Sequence, residues 1–179
     1  IATLGSWANP SVMDRVDGRH RGKLERNPAD VVSKIQPKIS DYLRSSNPEV
    51  LIATGKLLAE LKIQDFRSEQ TQIFLNHSNP KVRTAHLQSL TALNDPNLSL
   101  ILQKGMDDLD RGVRGVALGS LNKIEISKAE LPNITNPIFE KGSVPEQQQL
   151  LQAIGKMNIA NTSDILNDLI DKMVGAKLP

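Results

Sequence analysis

The chain has 179 residues and a mass of 19.7 kDa, with 39% hydrophobic but only 3% aromatic residues, so any core is built mainly from aliphatic side chains. Its 22 Lys and Arg nearly balance 20 Asp and Glu, and a net charge of +2 argues against a surface devoted to holding polyanions. Without cysteine there are no disulfides, thiolate metal sites or cysteine nucleophiles, and no apolar run approaches the about 18 residues that cross a membrane.

Ile1-Ala2-Thr3-Leu4-Gly5 reads as the end of a helix. With Ile in first place and no basic-then-apolar leader, the expectation is a piece of a longer polypeptide. The polar stretch that follows is punctuated by Gly and Pro. Ser6-Trp7-Ala8-Asn9-Pro10-Ser11 leads into Asp14-Arg15-Val16-Asp17-Gly18-Arg19 and then Arg21-Gly22, closing a first segment over 1–27. Trp7, Arg15, Arg19 and Arg21 are of the types that dominate interfaces, which makes this a candidate docking loop. The alternation of Arg15, Arg19, His20, Arg21, Lys23 and Arg26 with Asp14, Asp17 and Glu25 is equally that of a solvated loop closed by internal ion pairs. Asp14 and Asp17 lack the ordered oxygen ligands and following Glu of a calcium loop.

Residues 28–179 carry the 3.6-residue apolar period of helices. Val31, Val32, Ile35, Ile39, Tyr42 and Leu43 form the first stripe, with Pro37 on its opposite face predicting a kink. Three later stretches superpose without gaps. Asn47-Pro48-Glu49-Val50, Asn79-Pro80-Lys81-Val82 and Asp110-Arg111-Gly112-Val113 each open a helix with a capping residue, and their valines are 32 and then 31 residues apart. A weaker copy starts at Ser143-Val144-Pro145-Glu146, 33 residues further on. In each copy apolar residues are expected inside at offsets 0, 3, 8 and 11 from the valine position.

Between the copies lie second stripes: Phe66, Ile73 and Phe74; Leu98, Ile101, Leu102 and Met106; Leu131, Ile134, Ile138 and Phe139. The last helix, with Ile165, Leu166, Leu169, Ile170 and Met173, is expected to start after Asn161-Thr162-Ser163. No segment alternates as a β-hairpin does. The expectation is an all-α fold, an α-solenoid of about four helix pairs plus a terminal helix over 28–179.

The second helices read Val82-Arg83-Thr84-Ala85-His86-Leu87-Gln88-Ser89-Leu90 and Val113-Arg114-Gly115-Val116-Ala117-Leu118-Gly119-Ser120-Leu121. This pattern resembles the inner helix of short bacterial HEAT-like repeats of the armadillo type, most closely over 66–124. The fourth copy departs from it, with Glu146-Gln147 in place of Val-Arg. The Trp7 to Arg19 insertion resembles a stretch in the repeat region of large exported bacterial proteins. There, helical repeats join a sugar-dehydrogenase-like β-propeller and often a cytochrome c domain. The resemblance implies a spacer or docking arm, with the chemistry and any haem on other domains, and a periplasmic or cell-surface location; the alternative is cytoplasmic.

Arg83 and Arg114 occupy equivalent positions, and pairing with the turn acceptors Asn79 and Asp110 or their neighbours would make them a structural ladder. His86 falls between Val82 and Leu90, as a buried, hydrogen-bonded core histidine, and His77 follows a helix as a solvated end residue. Asp107, Asp108 and Asp110 read as a cap with a salt bridge to Arg111 or Arg114. The face opposite the apolar stripe reads Ile52, Thr84, Gly115; Lys56, Gln88, Gly119; and Ala59, Thr91, Asn122. One lysine in nine positions is no phosphate groove, whereas small neutral residues suit the approach of another protein. No phosphate loop, nucleophile elbow or metal-ligand spacing appears. The resulting expectation is a non-catalytic interaction or spacer module without its own cofactor, bound to another domain or a partner protein and not to nucleic acid. The alternatives are a free-standing HEAT-repeat binding protein, a lyase-accessory protein or, against the charge and aromatic content, a HEAT-like DNA-binding enzyme.

Overall fold

The computed structural model describes residues 4, 6–7, 10–24 and 26–175, so the reading of 1–5 as a helix end lies outside them apart from Leu4, which is helical. The described residues are all-α. In chain order the helices are α1 (Pro28–Leu43), α2 (Pro48–Glu60), α3 (Arg67–Asn76), α4 (Pro80–Ala92), α5 (Leu98–Met106), α6 (Arg111–Gly119), α7 (Leu131–Lys141), α8 (Val144–Ile154) and α9 (Ile159–Val174). A 3-10 turn at Leu121–Lys123 follows α6. No helix among the described residues is long and apolar enough to cross a membrane.

The chain divides into two compact units, Ile1–Leu98 and Ser99–Pro179. In the first, α2 packs on α1 and α4, and α4 packs on α3. Val31, Ile35, Ile39 and Leu43, spaced along one face of α1, meet Leu57, Leu58, Leu61 and Ile63 in a continuous core. Burial of each such side chain stabilises by about 1.5–3 kcal/mol. α1 continues through the exposed Pro37. In the second unit α6 and α8 form the main contact, α8 also packs on α7, and α9 packs on α7.

The repeat is visible in its turns. At the start of α2, α4 and α6 the caps Asn47, Asn79 and Asp110 each accept a backbone N–H of the first turn, from Glu49, Lys81 and Gly112 at 2.9 Å. Two residues before each cap stands an acceptor for the cap's own N–H: Ser45 Oγ at 3.2 Å, His77 Nδ1 at 3.0 Å and Asp108 Oδ1 at 2.8 Å. His77 is therefore part of the turn, not the solvated end residue expected.

Arg83 and Arg114 close the same turns from inside the helix. Arg83 Nη1 donates to the carbonyls of His77 (2.8 Å) and Ser78 (3.0 Å), and Arg114 Nη1 to those of Asp108 (2.8 Å) and Leu109 (3.0 Å). These are the backbone neighbours of Asn79 and Asp110, whose side-chain oxygens cap their own helices. In the fourth copy Gln147 takes the donor role, its Nε2 reaching the Phe139 and Gly142 carbonyls at 3.2 Å. The cap there is a reciprocal box between Ser143 and Glu146.

Two expectations change. Offset 8 is buried in every copy and offset 11 at Leu61 and Leu93, as expected, but offset 3 gives way to offset 4 in three copies, and in the second Ala85 is buried alongside His86. Thr54, His86, Ala117 and Leu150 are fully buried at offset 4, whereas Gln149 at offset 3 is exposed. In the first unit α2 and α4 approach closely: a Cβ on Gly55 would lie 3.3 Å from the Ala85 carbonyl oxygen. α9 begins at Ile159, ahead of the Asn161-Thr162-Ser163 cluster expected to cap it, because Asn158 Oδ1 accepts the Ala160 N–H at 3.0 Å. Finally, α2 and α4 end in left-handed residues that carry side chains, Lys62 (φ 55°) and Asn94 (φ 48°), each followed by a bond back into the last turn.

Arg83→Ala is expected to lower stability by about 1–2 kcal/mol, and Arg114→Ala by about 3 kcal/mol because it also strips the partner of a buried carboxylate. Urea unfolding of both variants checks the order. Lys62→Gly, which relieves a left-handed lysine, is expected to raise stability by up to about 1 kcal/mol in the same assay.

Candidate functional site

The segment before α1 forms a closed polar turn. Met13 and His20 make an isolated antiparallel bridge, and the Asp14 N–H donates to the Arg19 carbonyl at 2.8 Å. Gly18 sits at φ +70°, which lets the chain reverse there. Asp14 Oδ1 accepts the N–H groups of Val16 (2.7 Å) and Asp17 (3.3 Å), while Oδ2 faces Arg21 Nε at 3.2 Å. The Val16 and Asp17 N–H groups, with Arg21 behind them, hold the Asp14 carboxyl below the usual range.

Asp17 binds Arg21 Nη2 at 2.7 Å and lies 3.7 Å from Arg19. The carboxylates of this turn thus hold its own backbone and arginines. Arg15 stands exposed at the tip, beside Val16, which is 96% exposed. Trp7 lies apart from this tip. It packs against the core that contains α1, and Arg26 stacks over its ring at 5.1 Å while donating to the Trp7 carbonyl at 3.3 Å. Trp7 thus anchors the segment on the first repeat, while Arg19 and Arg21 pair within the turn.

The face of the second helices proposed as a binding surface is only partly open. Lys56 and Gln88 are exposed, Ile52, Thr84 and Asn122 are half-buried, and Thr91 is buried with its hydroxyl on the Leu87 carbonyl at 2.9 Å. Gly115 and Gly119 lie beneath Gln149 of α8, whose Oε1 would sit 2.8 Å from a Cβ on Gly119. Those small residues admit the neighbouring helix of their own unit. Asn122 borders an open groove of about 570 Å³ between the 3-10 turn and the α8–α9 link, shared with Ile124, Lys156, Met157 and Asn158.

A short ion pair joins two helices of the second unit. Arg114 Nε meets Glu146 Oε1 at 2.6 Å, linking α6 to α8 across the offset-0 position that is Val82 and Val113 in other copies. Burial pushes the Glu146 carboxyl up, but the Ser143 hydroxyl and N–H and the Arg114 guanidinium outweigh it and hold it at about 2. Of the Asp107–Asp110 cluster, Asp110 is the cap, as expected, whereas Arg114, one of the expected salt-bridge partners, pairs with Glu146.

The sequence reading missed two apolar residues that stand open. Leu109 is 97% exposed at the turn position held by Ser46 and Ser78 in other copies, and Val144 is 63% exposed at the start of α8. The signal for Leu109 was an apolar residue at a turn position that is serine in two other copies. Set beside known proteins, the chain matches no family model, no curated protein and no solved structure.

Glu146 contributes stability that is complete above its ordinary value of 4.5 and is lost as pH falls toward about 2. Glu146→Gln is expected to flatten the acid arm of the stability curve below pH 4.5, checked by urea midpoints from pH 6 to 2.

Proposed function

We propose that the chain is a non-catalytic protein-interaction module built of HEAT-like repeats, acting as a spacer or docking arm. One observation carries this reading: the side chains with chemical capacity are engaged within the fold while large apolar ones stand open at turns. Arg83, Arg114, Asp110, Glu146, Asp14 and Asp17 each close a turn, cap a helix or join two helices. Val16, Leu109 and Val144 face solvent. Their place on the connecting turns, where binding residues concentrate, is what supports the reading. The partner is another domain of a longer polypeptide or a separate protein.

A second reading makes the chain the helical arm of a large exported redox protein. It rests on the resemblance of the Trp7 to Arg19 stretch, whose described part closes on itself through the Met13–His20 bridge. A periplasmic or cell-surface location belongs to this reading.

The test is to isolate the native polypeptide from its own cells and record its intact mass, absorption spectrum and cross-linked neighbours. A species far above 19.7 kDa with a haem Soret band is the outcome of the second reading. A colourless species whose cross-link disappears in Leu109→Asp or Val144→Asp, with unchanged melting temperature, is the outcome of the first. Cross-linking that both variants leave intact argues against these turns as the contact.

A further inference from the structure

His86 is fully buried on α4, at the offset-4 position filled by Thr54, Ala117 and Leu150 in the other copies. It is the one copy with a titratable group there. Its Cε1 would lie 3.5 Å from a Cβ on Gly55, so the ring occupies the space that the missing α2 side chain leaves. Neither ring nitrogen makes a hydrogen bond of ordinary geometry. Gln70 on α3 and Ser89 on α4, also fully buried without side-chain partners, carry no charge.

The charged groups on the packed helices are Glu49, Lys56 and Glu60 of α2, Arg67 and Glu69 of α3, and Lys81 and Arg83 of α4 itself. All three carboxylates among them are exposed. Asp95, buried just beyond α4, accepts the Asn97 N–H and faces Arg67 Nε at 4.0 Å. His77 adds repulsion. A proton added to His86 thus enters a sealed, uncompensated site, where a buried unpaired charge is costly.

We propose that His86 makes the α2–α4 stack an acid-sensitive joint, in which protonation of the sealed ring opens the N-terminal unit while the C-terminal unit keeps its fold. Burial first, then the charge of His77, push the ring from 6.5 down to about 4, with the Leu51 backbone working the other way. The unfolded chain therefore takes up its proton at higher pH than the native state. Stability is full above pH 6.5 and drains as pH falls toward 4. The C-terminal unit has Ala117 and Leu150 at the same position, and its Glu146 stays ionised across this range.

Amide hydrogen exchange on the whole chain at pH 7 and pH 5, corrected for intrinsic rates, tests the joint. Protection in α2 and α4 is expected to fall about 20-fold, with α6 and α8 changing far less. His86→Gln is expected to remove that difference. Unchanged protection in α2 and α4, an equal loss in both units, or the same loss in His86→Gln overturns the proposal. Should that variant fail to fold, proton NMR of His86 in the native chain decides. A ring that titrates near 6.5 with the fold intact overturns the joint, and one still neutral at pH 5 supports it.

Discussion

The structure depends on how a chain that reverses direction every dozen or so residues satisfies the carbonyls it exposes at each turn. A helix leaves its last C=O groups without partners, and the following helix leaves its first N–H groups equally bare. Here one side chain caps the N–H groups and a second, from inside the next helix, reaches back to the carbonyls. Arg83 and Arg114 perform the second task with the same two bonds at the same distances. Asn79 and Asp110 perform the first. With both ends met locally, a turn between two helices is rigid before any neighbour is added.

Substitutions between copies show which parts of this device are interchangeable. At the arginine position the first copy has Leu51, buried at 3% exposure, and the fourth has Gln147, whose amide reaches the turn carbonyls in place of the guanidinium. Where the fourth copy gives up the buried valine, Glu146 takes its place and becomes the acceptor for Arg114. One arginine thus serves its own turn and the next helix at once. A carboxylate with 5% exposure is tolerable there because hydroxyl, N–H and guanidinium all converge on it.

Helix spacing within each unit is set by small residues. Gly55 lets α2 approach the α4 backbone, and Gly119 lets α6 accept Gln149 of α8. The same closeness seals His86 in the first unit, so tight packing there comes with a buried imidazole that has no good partner. The surfaces left over are turns and edges, where Val16, Leu109 and Val144 stand free of the fold's own needs.

Much of this was legible in the sequence, and the reasons are local. Asn-Pro and Asp caps, the 31–33-residue spacing and the apolar stripes specify helices and their order, because capping and amphipathicity act within a few residues. The all-α fold and the structural part played by Arg83 and Arg114 follow from such signals. Which residue at offset 3 or 4 faces inward was not legible, since both lie on one broad helical face and only the neighbouring helix selects between them. The same holds for Gly115 and Gly119, read as open surface but covered by Gln149. The sequence by itself determined the helices, their caps and their repetition, since those rest on interactions a few residues long. Only the tertiary structure decided the pairing of Arg114 with Glu146, the sealing of His86 against Gly55 and which apolar side chains stayed in water, because each depends on the distance between helices far apart in the chain.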